Sequence, residues 1–236
     1  MTHDAKLETV RKLLKLAEDP GATVAEAEAF TAKATLIMAT YGIDAALVAE
    51  SRTHHDDIVD HVFTLDAPYG RDKAMFVCHV AAAMRCKPVI VGDTEPGARV
   101  HVFGLETDVR CVQILVASLL LQAAREFVTV PIPPGEHVAA FRRSWWTGFS
   151  QAVYVRLREA DSTARDAAQA DRDDEERSVA LVLADREQEI ESVMHERYSG
   201  GLRPAPSRRL KGGGLVDGYA SGERADLGTS SNLTSG

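Results

Sequence analysis

Cysteine, aromatic residues and long apolar runs are all scarce in this sequence of 236 residues. Its three cysteines, Cys78, Cys86 and Cys111, are odd in number and form no CxxC pair. That argues against a disulfide framework and for reduced, packed thiols. Aromatics make up only 6% of the chain, so its core must be built from Leu, Val, Ile and Ala. The longest apolar stretch, around 114–121, is short of the roughly 20 residues a membrane-spanning helix needs, and Arg125 and Glu126 follow it. No membrane partner is therefore expected. The opening "MTHDAKLETV" lacks the basic-then-apolar layout of a signal peptide, which points to the cytoplasm. Also missing are HExxH, GxSxG and GxxxxGK[ST], the patterns that announce a zinc protease, a hydrolase nucleophile and a phosphate loop. No cofactor is expected, and the balance of signals leans away from an enzyme.

What is present reads as an ordinary globular chain, with 45% hydrophobic and 26% charged residues. The net charge of −8 is concentrated. Residues 159–191 hold twelve acidic and four basic side chains, a local balance of −8 that leaves the remainder close to neutral. One segment therefore repels phosphates while others remain open to them.

Residues 4–19 carry Leu7, Val10, Leu14 and Ala17 at helical spacing, and "DPGA" ends that helix. A second helix opens at Thr23 with Glu26 in capping-box position and presents Ala27, Phe30, Ala34, Ile37, Met38 and Tyr41. Gly42 suits the left-handed residue just past its end, with Ile43 packing back on Met38. These segments form a helical hairpin over 1–50. Residues 51–130 read as a β-α-β-β-α unit. It comprises the strand "IVDHVFTL" (58–65), the helix "DKAMFVCHVAAAMRC", two β-branched runs "PVIVG" and "ARVHVFG" joined by "DTEPG", and a central helix from Thr107 or Asp108. "VPIPPGE" is a break. A long helix from His137 to about 160 and a last one over 178–198 give a C-terminal hairpin over 131–198. The rest, 199–236, reads as a flexible tail with at most a helical turn in "LVDGYASGERADL". The class is α+β and helix-rich.

"KLLKLAEDPGATVAEAEAFTAKATLIMATYGID" resembles the N-terminal module of domain of unknown function 2786, common in actinobacteria and their phages. The shared features are the Leu-rich first helix, the "AEDPGAT" turn, "EAEAF", "AKA" and the terminal "YGID". "VHVFGLETDV", "FRRSWWTGFSQAVYVRLREA", "ALVLADREQEIESVMHERY" and "GYASGERADLG" resemble the region that follows this module, domain of unknown function 7168. The acidic "DRDDEERS" departs from that pattern in length and charge. The resemblance implies no established chemistry.

Three places can carry function. His54, His55, Asp57 and His61 are metal-ligand types, with Asp56 and Asp60 beside them. On a strand, however, His61 faces with Val59 and Phe63, and Asp60 faces away, so the set diverges. A solvated loop explains it as well as a metal-dependent hydrolase does. On the helix "FRRSWWTGF", Arg142, Arg143, Trp146, Ser150 and Arg156 lie near one angle, opposite the apolar stripe through Trp145 and Phe149. An exposed Trp–Arg face of this kind binds a protein partner or a nucleic acid, the latter as a regulator would. The competing expectation pairs these arginines with the acidic last helix. Gly148 in that helix implies a second backbone passing close by. The basic tail, Arg203, Arg208, Arg209 and Lys211, adds at most weak attraction for phosphate. The expected function is a non-enzymatic binding or accessory protein.

Overall fold

The computed structural model describes residues 3–17, 24–51, 57–92, 97–172, 177–204 and 211–225. Within them the elements follow as α1 (His3–Ala17), α2 (Val24–Ser51), β1 (Ile58–Leu65), α3 (Gly70–Ala83), β2 (Lys87–Ile90), β3 (Ala98–Leu105), α4 (Glu106–Thr129), α5 (Val138–Ala170), α6 (Val179–Arg197) and α7 (Leu215–Arg224). This is a helix-rich α+β fold. The capping turn at Thr23, the loop 93–96, the acidic positions 173–176, and Arg208 and Arg209 lie outside the described residues.

The three strands form an antiparallel sheet in the order β1-β3-β2. β1 pairs with β3 from Ile58 opposite Leu105 to Leu65 opposite Ala98, and β2 pairs from Lys87 opposite Phe103 to Ile90 opposite Val100. Alternation along β3 sorts its side chains between two cores. Val100 and Val102 enter the main core with α3, α4 and α5, whereas Phe103 and Leu105 enter a second one with Ile43 of α2 and Ile190 and Met194 of α6. α6 thus covers the far face of the sheet together with α2, and does not simply pair with α5.

Two helix ends depart from the sequence expectation. α2 does not stop at Gly42 but runs on to Ser51, because Ala39, Ile43 and Ala46 give it a second buried side. Helices buried on two sides resist termination by a single glycine, whose cost is about 1 kcal/mol against Ala. α5 starts where expected, with the His137 ring accepting from the Ala140 amide, but continues to Ala170. α4 is long and apolar enough to cross a membrane by length and composition, which the shorter run at 114–121 did not foretell. In this fold Val109, Val112, Leu115, Val116 and Leu119 are buried in the main core.

The largest departure is α7. The segment expected to be a tail with one helical turn contains a ten-residue helix docked along α5.

Candidate functional site

The helix face expected to meet a partner is already covered. Trp146 is 3% exposed and packs among Phe76, Phe127, Trp145 and Phe149. Arg142 lies 4.6 Å over the Phe127 ring and donates to the Phe127 carbonyl. Ser150 is buried, with its hydroxyl 2.6 Å from His79 Nδ1. Arg156 is buried and donates to the carbonyls of Gly222 and Ala225. Arg143 alone of the five is exposed. The exposed Trp–Arg face is therefore corrected to an interior seam, because α3 and α4 supply aromatic rings that take up Trp146 while α7 takes up Arg156.

The geometry of α7 explains the cover. Gly214, Gly218 and Gly222 recur every four residues, one helical turn apart, and face Phe141, Trp145 and Phe149 of α5, which have the same spacing. A Cβ on Gly214 or Gly218 would strike the carbonyl oxygen of Phe141 or Trp145, and one on Gly222 would lie 2.6 Å from that of Phe149. Gly148 answers from α5, where a Cβ would strike the Leu215 carbonyl. The close backbone implied by Gly148 is thus α7. The repeated glycine spacing in 214–222 was the signal available in the sequence, and it marks helices that approach to backbone contact.

The metal-ligand candidates separate. His54 and His55 lie outside the described residues. Asp57 is exposed ahead of β1, and His61 packs edge-on against Phe63 at 4.7 Å. Asp60, on the other face, accepts from His101 Nε2 at 2.6 Å. Among the described residues no group of three His, Cys, Asp or Glu side chains is placed to hold a metal ion.

The most concentrated chemistry lies elsewhere, at Arg85. This residue follows α3 with φ of 60°, in the left-handed position that glycine usually fills. The Cys86 amide bonds back to the Ala81 carbonyl and completes that helix ending. A left-handed non-glycine residue costs roughly 1–2 kcal/mol. The strain aims the guanidinium inward, where Nη2 and Nε meet the two oxygens of Asp108 at 2.6 and 3.2 Å and Nη1 donates to Asp161. Both carboxylates are 1% exposed. Asp108 sits in the first turn of α4, where the helix dipole favours negative charge. Asp161 comes from α5 and is also met by Arg165 Nε at 2.7 Å and Arg158 at 3.8 Å. Burial works against the Arg85 charge, but Asp108 and then Asp161 outweigh it and raise its pKa. Gly42 explains its own presence here, since a Cβ would overlap the Arg85 guanidinium and the Asp108 carboxylate.

This centre forms one wall of a cavity of about 290 Å³ between α3, β2 and α6. Among the described residues five cations line it, Arg85, Lys87, Arg158, Arg165 and Arg186, with two carboxylates, Asp108 and Glu187, while Asp161 meets three of the arginines from behind the lining. Lys87 reaches Glu187 at 2.5 Å, and that contact holds the Glu187 pKa below the usual range. Arg186 reaches Glu189 at 2.7 Å. The glutamates on α6 are about half exposed or more, so these pairs are screened by solvent. Leu105, Leu183 and Ile190 complete the lining with apolar surface.

The three thiols are held toward their protonated form. Burial pushes Cys78 up to about 12, and burial followed by the Asp108 charge raises Cys86 and Cys111. All three stay protonated near neutrality. His79, bonded to Ser150, has its pKa lowered by burial. The folded state therefore binds this proton less readily than the unfolded chain does, so the contribution to stability is complete above the unfolded value of about 6.5 and drains away as pH falls through the lower folded value. Thermal unfolding at fixed ionic strength is expected to show Tm falling below about pH 6.5, with a shallower fall in His79→Gln. Equal slopes in the two proteins would refute the assignment to this residue.

Residues 5–45 match the family model described as protein of unknown function (DUF2786). No curated protein and no solved structure matches the chain.

Proposed function

We propose that this protein is a cytoplasmic, non-enzymatic accessory protein that binds a small oxyanion, or the phosphate or carboxylate of a partner, in the cavity beside Arg85. The gathering of five cations in the lining of one cavity, two of them paired with partly exposed glutamates that a ligand can displace, supports this reading above all else. Arg85 sits behind the site and fixes the two buried carboxylates. Arg158, Arg165 and Lys87 keep 48%, 34% and 25% of their side chains exposed and can reach a ligand. Planar guanidinium groups grip oxyanions through paired N–H bonds. A multiply charged anion competes well against exposed glutamates whose own pairs are weak. A volume of about 290 Å³ suits an inorganic oxyanion or a single anionic group. The resemblance of the N-terminal segment, and of the region after residue 51 to domain of unknown function 7168, supports an actinobacterial or phage origin.

Thermal unfolding with inorganic phosphate or pyrophosphate, against chloride at equal ionic strength, tests this. A ligand at a hundred times its Kd adds about 2.7 kcal/mol, and each kcal/mol raises Tm by roughly 2–4 °C in a chain of this size. The rise is expected to vanish in Lys87→Ala/Arg158→Ala, two substitutions at partly exposed positions. A shift no larger than chloride gives, or one that survives the double substitution, would remove the reading.

A further inference from the structure

A bare oxyanion would leave the apolar part of the cavity beside Arg85 unfilled. Among the described residues, Leu105, Leu183 and Ile190 line it with apolar surface. Ala82, Ala180 and Ala184, all exposed, are small residues in the same lining. A tetrahedral oxyanion takes up the space of about three waters, roughly 90 Å³ at ~30 Å³ each. The cavity holds about 290 Å³, close to the lower bound of roughly 300 Å³ for sites that enclose organic molecules. An inorganic ion alone therefore leaves more than half of it open, against side chains that gain from apolar contact.

The polar part has a definite focus. Glu187 meets Lys87 Nζ at 2.5 Å, and this bond chiefly lowers its pKa, against the opposing effect of burial. The charges of Lys87, Arg165 and Arg158 lower it further. One exposed carboxylate thus stands where the fields of a β2 lysine and two α5 arginines overlap. Ala180, Leu183 and Ala184 precede Glu187 on α6 by seven, four and three positions, and Ile190 follows it by three. At 1.5 Å per residue they all lie within about 11 Å of it along the axis. The charge focus and the apolar surface are neighbours.

We propose that the ligand of this cavity is a small phosphate monoester. Its phosphate takes the place of the Glu187 carboxylate, and its apolar group lies on Leu105, Leu183 and Ile190. The assignment rests on the anion site beside Arg85 and names its ligand class. A phosphate monoester carries nearly two charges and three strong acceptor oxygens, one for each of Lys87, Arg158 and Arg165. Arginine forks match phosphate oxygens in pairs. A free carboxylate brings no more than the tethered Glu187 already supplies, so it competes poorly. Glu191, 3.9 Å from Lys87, is half exposed and offers only a screened contact.

The test is calorimetric titration of the full chain with inorganic phosphate, phenyl phosphate and benzoate, at about pH 8 where both phosphates are largely dianions. Phenyl phosphate is expected to bind at least about tenfold more tightly than inorganic phosphate or benzoate. Ala184→Leu, at an exposed position and with a good helix former, fills the apolar part. It should erase the advantage of phenyl phosphate while leaving inorganic phosphate within about twofold. Glu187→Gln should tighten both phosphates by roughly two- to fivefold, because a competing charge is gone. If neither phosphate binds, the anion site itself is refuted and this ligand class with it. If inorganic phosphate binds but phenyl phosphate binds no more tightly, or if benzoate matches phenyl phosphate, the ligand class alone is overturned. It is overturned as well if the phenyl advantage survives Ala184→Leu, or if Glu187→Gln fails to tighten binding.

Discussion

Gly218→Ala is expected to destabilise the protein by about 3 kcal/mol or more, at the upper end of what overpacking costs. The added methyl meets the Trp145 carbonyl, a backbone atom two turns into a 33-residue helix, and cannot be accommodated by a change of side-chain rotamer. α7 must lift away, taking with it the carbonyls that Arg156 serves and the contacts of Ser221 and Arg224 with Glu126. Trp145, fully buried in the intact protein, then meets water. The measurement is denaturant unfolding followed by tryptophan emission, with a red shift before the main transition. Val216→Ala on the exposed side of the same helix supplies the comparison, because surface substitutions generally stay within about 0.5 kcal/mol. If Gly218→Ala and Val216→Ala unfold together, the backbone-to-backbone docking of α7 is wrong. Gly148→Ala attacks the same contact from α5 and should resemble Gly218→Ala.

Arg85→Met is expected to cost about 3–5 kcal/mol, the usual penalty for leaving a buried partner uncompensated. Two carboxylates, Asp108 and Asp161, lose their shared cation at once. The relief of left-handed strain that Arg85→Gly would bring is smaller, about 1–2 kcal/mol, so that substitution also destabilises. Removing the whole centre is different. Arg85→Met with Asp108→Leu and Asp161→Leu trades three buried charges for apolar groups, and such exchanges are often neutral or stabilising. The triple variant should recover most of the lost stability in urea unfolding. Persistent instability of the triple variant would mean that the centre contributes more than charge pairing. Gly42→Ala should damage the same locus from α2.

Much of this fold is legible from local pattern. The strand at 58–65 is readable to the residue because β-branched and aromatic side chains, Ile58, Val59, Val62, Phe63 and Thr64, are dense there. The start of α5 follows from a proline-rich break and a capping His137, and the buried stripe of α6 follows from Val182, Leu183, Ile190 and Met194. The readings that fail do so where a distant segment decides. Trp146 has the angular position of a surface residue, but Phe76 and Phe127 arrive from other helices to cover it. Gly42 has the local chemistry of a helix end, yet its role is set by Arg85 and Asp108, 43 and 66 positions further along. The Arg85 centre joins residues 23 and 76 positions apart, and no window of sequence contains it. The metal-ligand set, by contrast, shows its weakness locally, because strand alternation already sends Asp60 and His61 apart.

The family match ends at residue 45, three residues beyond Gly42, and the guanidinium that Gly42 admits belongs to the chain that follows. The matched segment is therefore half of a joint whose other half is encoded downstream. Cut free at that boundary, it would carry a notch shaped for an arginine it no longer possesses. Any different sequence spliced on behind it would need its own cation and acid at the same height along α2 to seat as firmly.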